Sequence, residues 1–300
     1  MLLSQGQNII VYLFPLISLI GVVANILAFI IFSRKKFQNT IFSIYFRFFI
    51  IFDTLSLMLP INKLLEMNFN IIIADISDSL CKFRYYYAYV SVPISGWTLV
   101  VISIDRFLSV SCSGRFHFRK KKGFHITMAF IILIFNLSYY IPNLFYYIET
   151  KTNYSNETNL TIEYSKCQNP GFALEIMDLF QSTLVPFLLM IFFSSITIKS
   201  LFESHIRANL KNGHRKDIRF AITSISLNIL FLVMNLPYFI VSILNQHTNI
   251  FENNFLLFKF IISTTLGLLY SNAATVFFVN ILVNRLFRNE FKKIFNCNKN

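Results

Sequence analysis

Seven predominantly apolar stretches of about 20 residues recur along this 300-residue chain. Each is long enough to cross a hydrocarbon core of about 30 Å as a helix. They run over Ile9–Phe32, Ile41–Ile61, Tyr85–Ile104, Phe124–Ile148, Leu179–Ile198, Phe220–Leu244 and Phe260–Leu282. Only the second carries charge, with Arg47 near its start and Asp53 at its middle. Hydrophobic residues make up 55% of the chain and charged residues 14%. A soluble domain carries about 25% charge, so lipid is the solvent for much of this surface. The expected fold is an all-α membrane protein, a seven-transmembrane helix bundle. Its divisions are an extracellular N-terminus at 1–8, a membrane domain at 9–283, and an amphipathic helix with a cytoplasmic tail at 284–300.

The last of these divisions comes from Asn284–Phe295, where Leu286, Phe287, Phe291 and Ile294 alternate with Arg285, Arg288, Lys292 and Lys293. That pattern predicts a helix lying on the membrane surface. No cleavable leader is expected: the N-terminus lacks a basic region and the first apolar run is too long.

Basic residues orient the bundle, because they concentrate on the cytoplasmic side. With the N-terminus outside, 21 of the 27 lysines and arginines fall inside, including Arg34, Lys35, Lys36, Arg106 and the run Arg119–Lys122. The net charge of +13 is then accounted for by topology and anionic lipid, not by nucleic acid. The polar segment Glu149–Glu175 falls outside and holds three glycosylation patterns, at Asn153, Asn156 and Asn159. A fourth, at Asn136, falls inside a span. Four cysteines are too few for a disulfide framework and too scattered for zinc. Cys81 and Cys167 both face the oxidising side, where a disulfide persists. Cys112 and Cys297 fall on the reducing side, and Cys297, after the surface helix, is a candidate for palmitoylation.

Asp105-Arg106-Phe107 stands 25 residues after Cys81, and Pro186 and Pro237 fall in the fifth and sixth spans. With these features the chain resembles the rhodopsin-like G-protein-coupled receptors along nearly its whole length. The resemblance implies a disulfide between Cys81 and Cys167 that pins the glycosylated loop over the bundle mouth. It implies that Arg106 pairs with Asp217, 20 residues before Pro237, in the resting state; the alternative is an arginine that only reaches for the membrane surface. Phe231 matches the family's aromatic switch, and the prolines kink their helices. Around Asp53 the resemblance gathers Asn25, Ser95 and Asn272. In the family this cluster binds a sodium ion, the one bound group implied here; a polar knot without an ion is the alternative.

The chain also departs from the family. Met234-Asn235 replaces the usual Cys-Trp of helix six. Helix four lacks its tryptophan, and the single tryptophan is Trp97. The Asn-Pro-x-x-Tyr motif of helix seven is lost, with Val276, Phe277 and Asn280 at its named positions, and Ser194 stands where helix five usually has tyrosine. These losses put ordinary activation in doubt and keep a non-signalling decoy in play.

Aminergic receptors carry an aspartate seven residues after the helix-three cysteine, where this chain has Ala88. A monoamine is therefore disfavoured, and no lysine in mid-helix seven supports a retinal. Nine acids against six bases make the outer side mildly acidic, and Tyr85, Tyr86, Tyr87 and Tyr89 crowd the start of helix three. Aromatic walls with acids at the rim suit a short amidated, basic or aromatic peptide, as in invertebrate neuropeptide receptors; interfacial belt tyrosines are the alternative. The ligand positions are Tyr85, Ala88, Tyr89, Glu175, Tyr238 and Phe239. The partners are an extracellular ligand, a heterotrimeric G protein and membrane lipid, and a chemosensory receptor for a small molecule is the rival. Repeats of a transporter, charged rings of a channel and a catalytic cluster in the bundle are not evident, so an enzyme is not expected.

Overall fold

The computed structural model describes the chain except residues 1, 39, 41, 61–64, 66–70, 112–120, 146, 156–159, 169–176, 208–213, 248–254 and 296–300. Side chains are further limited to those outside 2–12, 42, 111, 150–155, 160–166, 168, 201–207, 214–219, 245–247, 255 and 295. The membrane helices are α1 (Leu2–Phe32), α2 (Phe42–Ser56), α3 (Asp78–Ser111), α4 (Lys122–Tyr139), α5 (Val185–Arg207) and α6 (His214–His247). Then come α7, in two segments (Phe255–Asn272 and Thr275–Val283), and α8 (Arg285–Phe295). Five of these helices are long and apolar enough to cross a membrane, and the two α7 segments, bent by 56°, make a sixth such unit. The helix of α2, 15 residues long, is followed by a turn at Leu57–Met58. The fold is an all-α seven-helix bundle.

The long helix α3 packs against α2, α4, α5 and α6 and forms the bundle's spine. Leu99, Val100 and Ile102 of α3 are buried in one core with Tyr45, Phe46, Phe231 and Val279. Large apolar side chains face outward instead, among them Leu19, Ile134, Phe192, Ile229 and Leu282, the last 74% exposed. In water so continuous an apolar surface would drive aggregation; in lipid it costs nothing.

Several boundaries differ from the sequence reading, each for a local reason. The first span is helical from Leu2, ahead of Ile9. The fourth stops at Tyr139 and does not reach Ile148. Pro142 lacks an N–H and restricts Ile141, so the chain turns through a 3-10 segment, Ile141–Phe145, instead. Ile148 then lies in a strand. The segment expected as a polar loop is an antiparallel hairpin, β1 (Tyr147–Ser155) and β2 (Leu160–Gln168), with Ile148 opposite Cys167. Asn136 is buried and donates to the Ile132 carbonyl at 2.8 Å, so its sequon is structural.

Two irregularities shape the site. Before Pro186 the chain forms a π-helical turn, Leu179–Leu184. A proline ring crowds the carbonyl four residues back, and the wider turn relieves that contact. The bend of α7 falls at Ala273–Ala274, with no proline present. Polar side chains hold it: Asn25 Nδ2 donates to the Ala273 carbonyl at 3.0 Å, and Thr275 Oγ1 to the Asn272 carbonyl at 2.8 Å. Side chains that insert into the helical hydrogen-bond ladder bend helices without proline.

Candidate functional site: a tyrosine-lined cavity beside a buried polar core

At the disulfide-bearing end of the bundle a cavity of about 310 Å³ opens between α3, α6, α7 and the turn leading into α5. From α3 come Arg84, Tyr85, Ala88 and Tyr89, on one face because they sit four or so residues apart. Asp178 and Ser182 line it from the π-helical turn, Tyr238 and Phe239 from α6, and Leu266, Leu269 and Tyr270 from α7. Five of the six residues expected at the ligand thus share this cavity; the sixth, Glu175, lies outside the described residues. The four helix-three tyrosines divide. Tyr86 donates to the Leu137 carbonyl at 2.9 Å and Tyr87 to the Leu55 carbonyl, so these two tie α3 to α4 and α2.

The hairpin is fastened beside the cavity mouth. Cys81 and Cys167 are joined by a disulfide, with Cα atoms 5.8 Å apart, and both are buried. The Cys167 N–H donates to Asp75 Oδ1 at 2.7 Å and the Ile148 N–H to Asp78 Oδ1 at 3.3 Å. Asn153 belongs to β1, its side chain outside the described residues; Asn156, Asn159 and Cys297 lie outside them altogether.

Further into the bundle, Asp53 is 1% exposed. Its Oδ1 accepts from Ser95 Oγ at 2.6 Å, while Oδ2 has no hydrogen-bond partner among the described residues. Asp53, Ser95, Asn272 and Asn235 line a small cavity of about 20 Å³, room for about one water-sized species. Asn25 stands one step back, bonded to Ala273, which itself lines the cavity. Phe231 forms another wall. A Cβ on Gly96 would meet the Phe231 ring at 3.1 Å, so the glycine admits that ring against α3. Asn235 donates back to the Phe231 carbonyl at 2.6 Å, one turn before Pro237.

At the opposite end Arg106 and Asp105 are buried and paired with each other. Asp217 lies in α6, but its side chain is outside the described residues, so the expected Arg106–Asp217 contact is untested. One turn before Arg106, Ser103 accepts from Asn228 Nδ2 at 2.7 Å. No group of three or more metal-binding side chains occurs among the described residues.

The family description "7 transmembrane receptor (rhodopsin family)" matches residues 24–275. The chain belongs to the rhodopsin family of seven-transmembrane receptors. No curated protein matches it. Members of this family are receptors, not enzymes, and this receptor is a multi-pass membrane protein.

The receptor's departures from its family now have surroundings. Asn235 faces the polar core where a tryptophan is usual. Asn280, at the lost tyrosine of helix seven, is fully buried and bonds the Val276 carbonyl at 2.8 Å. Ser194, at the lost tyrosine of helix five, accepts the second amide hydrogen of Asn228 at 2.9 Å. Sequence reasoning missed Arg84, Ser182 and Tyr270 as cavity residues and counted Asp178 only among the rim charges. The signal for Arg84 was present, since it shares a helical face with Ala88 four residues on; Asp178 and Ser182 belong to the π-helical turn, which the sequence does not mark.

Proposed function

We propose that the receptor is a G-protein-coupled receptor that binds a short neuropeptide from outside the cell and activates a cytoplasmic G protein. The observation that carries this reading is the tyrosine-rich cavity beside the disulfide-fastened hairpin. Its volume lies at the low end for ligand sites, which suits one end of a peptide, the rest resting on the hairpin. The basic residues at the Arg106 end support placing that end in the cytoplasm, with the glycosylation patterns of the hairpin outside. Tyr85, Ala88, Tyr89, Tyr238 and Phe239 form the ligand's seat, and Glu175 its rim.

Activation is a shift between two states. Agonist stabilises a conformation in which α6 swings about Pro237, the Arg106–Asp217 contact opens and a G protein enters between the basic loops. Asp53, Ser95 and Asn272 fit a sodium ion in the resting state: the oxygen donors suit a hard cation, Asp53 Oδ2 is open to it, and the cavity is of ionic size. Asn25 positions the α7 bend behind them. The tyrosine-lined cavity, at about 310 Å³, also suits a small molecule, which makes a chemosensory receptor the second reading.

G-protein activation in cells against short amidated peptides tests the proposal, with Arg106→Ala alongside at matched surface expression. Activation by a peptide in wild type, lost in Arg106→Ala, is the expected result. Silence towards peptides with activation by small volatile or soluble molecules would establish the second reading.

A further inference from the structure

The helix-three position at which amine receptors carry their acid holds Ala88 in this chain, yet the cavity is not without an acid. Asp178 lines it from the far wall, at the start of the π-helical turn. Its carboxylate is held in place, because Tyr140 Oη donates to Oδ1 at 3.0 Å and Tyr140 is itself 3% exposed. The neighbouring Tyr139 hydroxyl bonds the Met177 carbonyl at 3.2 Å, fixing the backbone one residue before. Ser182 Oγ bonds the Asp178 carbonyl at 2.6 Å from the other side.

Aromatic rings lead to this carboxylate from the opposite wall. The Arg84 guanidinium lies over the Tyr85 ring, 5.4 Å from its centre. Tyr85 stacks with Tyr89 at 6.5 Å, and Tyr89 with Tyr140 at 6.0 Å. Tyr85 and Tyr89 of the cavity wall, with Tyr140 packed behind them, therefore form a ladder of aromatic rings with the Arg84 cation at one end and the Asp178 carboxylate at the other. Aromatic faces attract cations, and a carboxylate beyond them gives a cation a terminus with charge-assisted hydrogen bonds.

We propose that Asp178 is the counter-ion for a cationic group of the ligand, an ammonium or guanidinium, which enters over the Tyr89 face with Arg84 receiving a ligand oxygen at the other end. This rests on the reading of the cavity as the ligand site and specifies the chemistry recognised there. A monoamine docked on helix three is replaced by a dipolar ligand whose cation reaches towards helix five.

The test measures thermal unfolding of the purified full-length receptor with two probes, Nα-acetyl-L-arginine amide, whose only charge is its guanidinium, and its uncharged isostere Nα-acetyl-L-citrulline amide. Wild type, Asp178→Asn and Asp178→Glu are compared. Asp178→Asn keeps an oxygen for the Tyr140 hydroxyl and removes only the charge, so its fold is retained; Asp178→Glu restores the charge. The arginine probe is expected to raise the unfolding temperature of wild type and Asp178→Glu, with the citrulline probe inert. Asp178→Asn is expected to bind the arginine probe about tenfold or more weakly. An equal response to both probes, an undiminished arginine response in Asp178→Asn, or no response in wild type would each overturn the proposal. No G protein enters the assay, so loss of signalling in cells and failure of this inference are separate outcomes.

Discussion

Asn228 of α6 donates one amide hydrogen to Ser103 of α3 at 2.7 Å and the other to Ser194 of α5 at 2.9 Å. One side chain thus joins three helices, one turn from Arg106, at the level where this receptor lacks the usual helix-five tyrosine. Asn228 and Ser103 are both buried. Opening α6 away from α3 would separate these groups in a region with little water to replace them, so the amide opposes that motion.

Asn228→Leu is therefore expected to lower stability and to raise ligand-independent signalling. Interhelical hydrogen bonds in membrane proteins contribute about 0.6 kcal/mol on average and up to about 1.7, so two bonds suggest a loss of about 1–3 kcal/mol. A double-mutant cycle with Ser103→Ala, read by unfolding in detergent, measures the coupling; strict additivity would mean that the hydrogen bond carries no energy. Basal G-protein activation reads the second effect, and a basal level at or below wild type would show that the contact does not restrain α6.

Replacing Asp53 tests the polar core without any ligand. Sodium chloride is expected to raise the unfolding temperature of wild type above that in choline chloride, because an ion bound only by the folded state stabilises it by mass action. Asp53→Asn is expected to lose that difference, since its amide cannot balance the cation. A sodium effect of equal size in Asp53→Asn would exclude this cavity as the ion's place.

The bundle was legible because period and length carry it: seven apolar runs of membrane length leave few other folds. Asp53 was legible because charge in mid-membrane is conspicuous and it is the one acid there; Asn25, Ser95 and Asn272 were placed around it by the family resemblance, and Asn235 was not. The Asn228 contact was not legible, because an asparagine in an apolar helix gives no sign of which neighbour it will meet. Nor was the division of the four tyrosines, since consecutive residues on a helix point about 100° apart and their faces depend on where α3 is rotated. The early end of α4 had a sign in Pro142, overridden in the sequence reading by the apolar run that continues to Ile148. The cavity role of Asp178 depended on the π-helical turn, which changes the facing of residues before Pro186 and has no compositional mark.

The disulfide supports a prediction about the cavity mouth. It closes a separation of 86 residues, for which the chain-entropy account gives about 4–5 kcal/mol. Cys81→Ser with Cys167→Ser is expected to lower the unfolding temperature and to loosen the hairpin, which the Asp75 and Asp78 acceptors continue to hold. Faster hydrogen exchange of the hairpin amides, relative to α3 below Tyr89, is the measurement. Unchanged hairpin protection would mean that the two aspartates suffice.

At the other end Glu290 of α8 is buried among three cations. Its carboxylate pairs with Arg34 at 3.2 Å, Lys36 at 3.3 Å and Lys293 at 3.1 Å. Burial alone would raise its pKa, but the hydrogen bonds from Lys293 and Lys36 outweigh that and hold the carboxyl below its ordinary value of 4.5. A depressed folded-state pKa means stability that is present above the ordinary value and lost as pH falls through the lowered one. The attachment of α8 to the α1–α2 turn is therefore expected to persist at neutral and mildly acidic pH and to weaken below about pH 4.5. Glu290→Gln should bring the weakened state to neutral pH, while the Phe287 side chain, fully buried against Phe32 and Phe277, keeps part of the contact. A spin label on α8 paired with one on α1 measures the separation. A distance distribution that broadens on acidification in wild type, and is already broad at neutral pH in Glu290→Gln, is the expected result. A pH response surviving in Glu290→Gln would move the titrating group elsewhere.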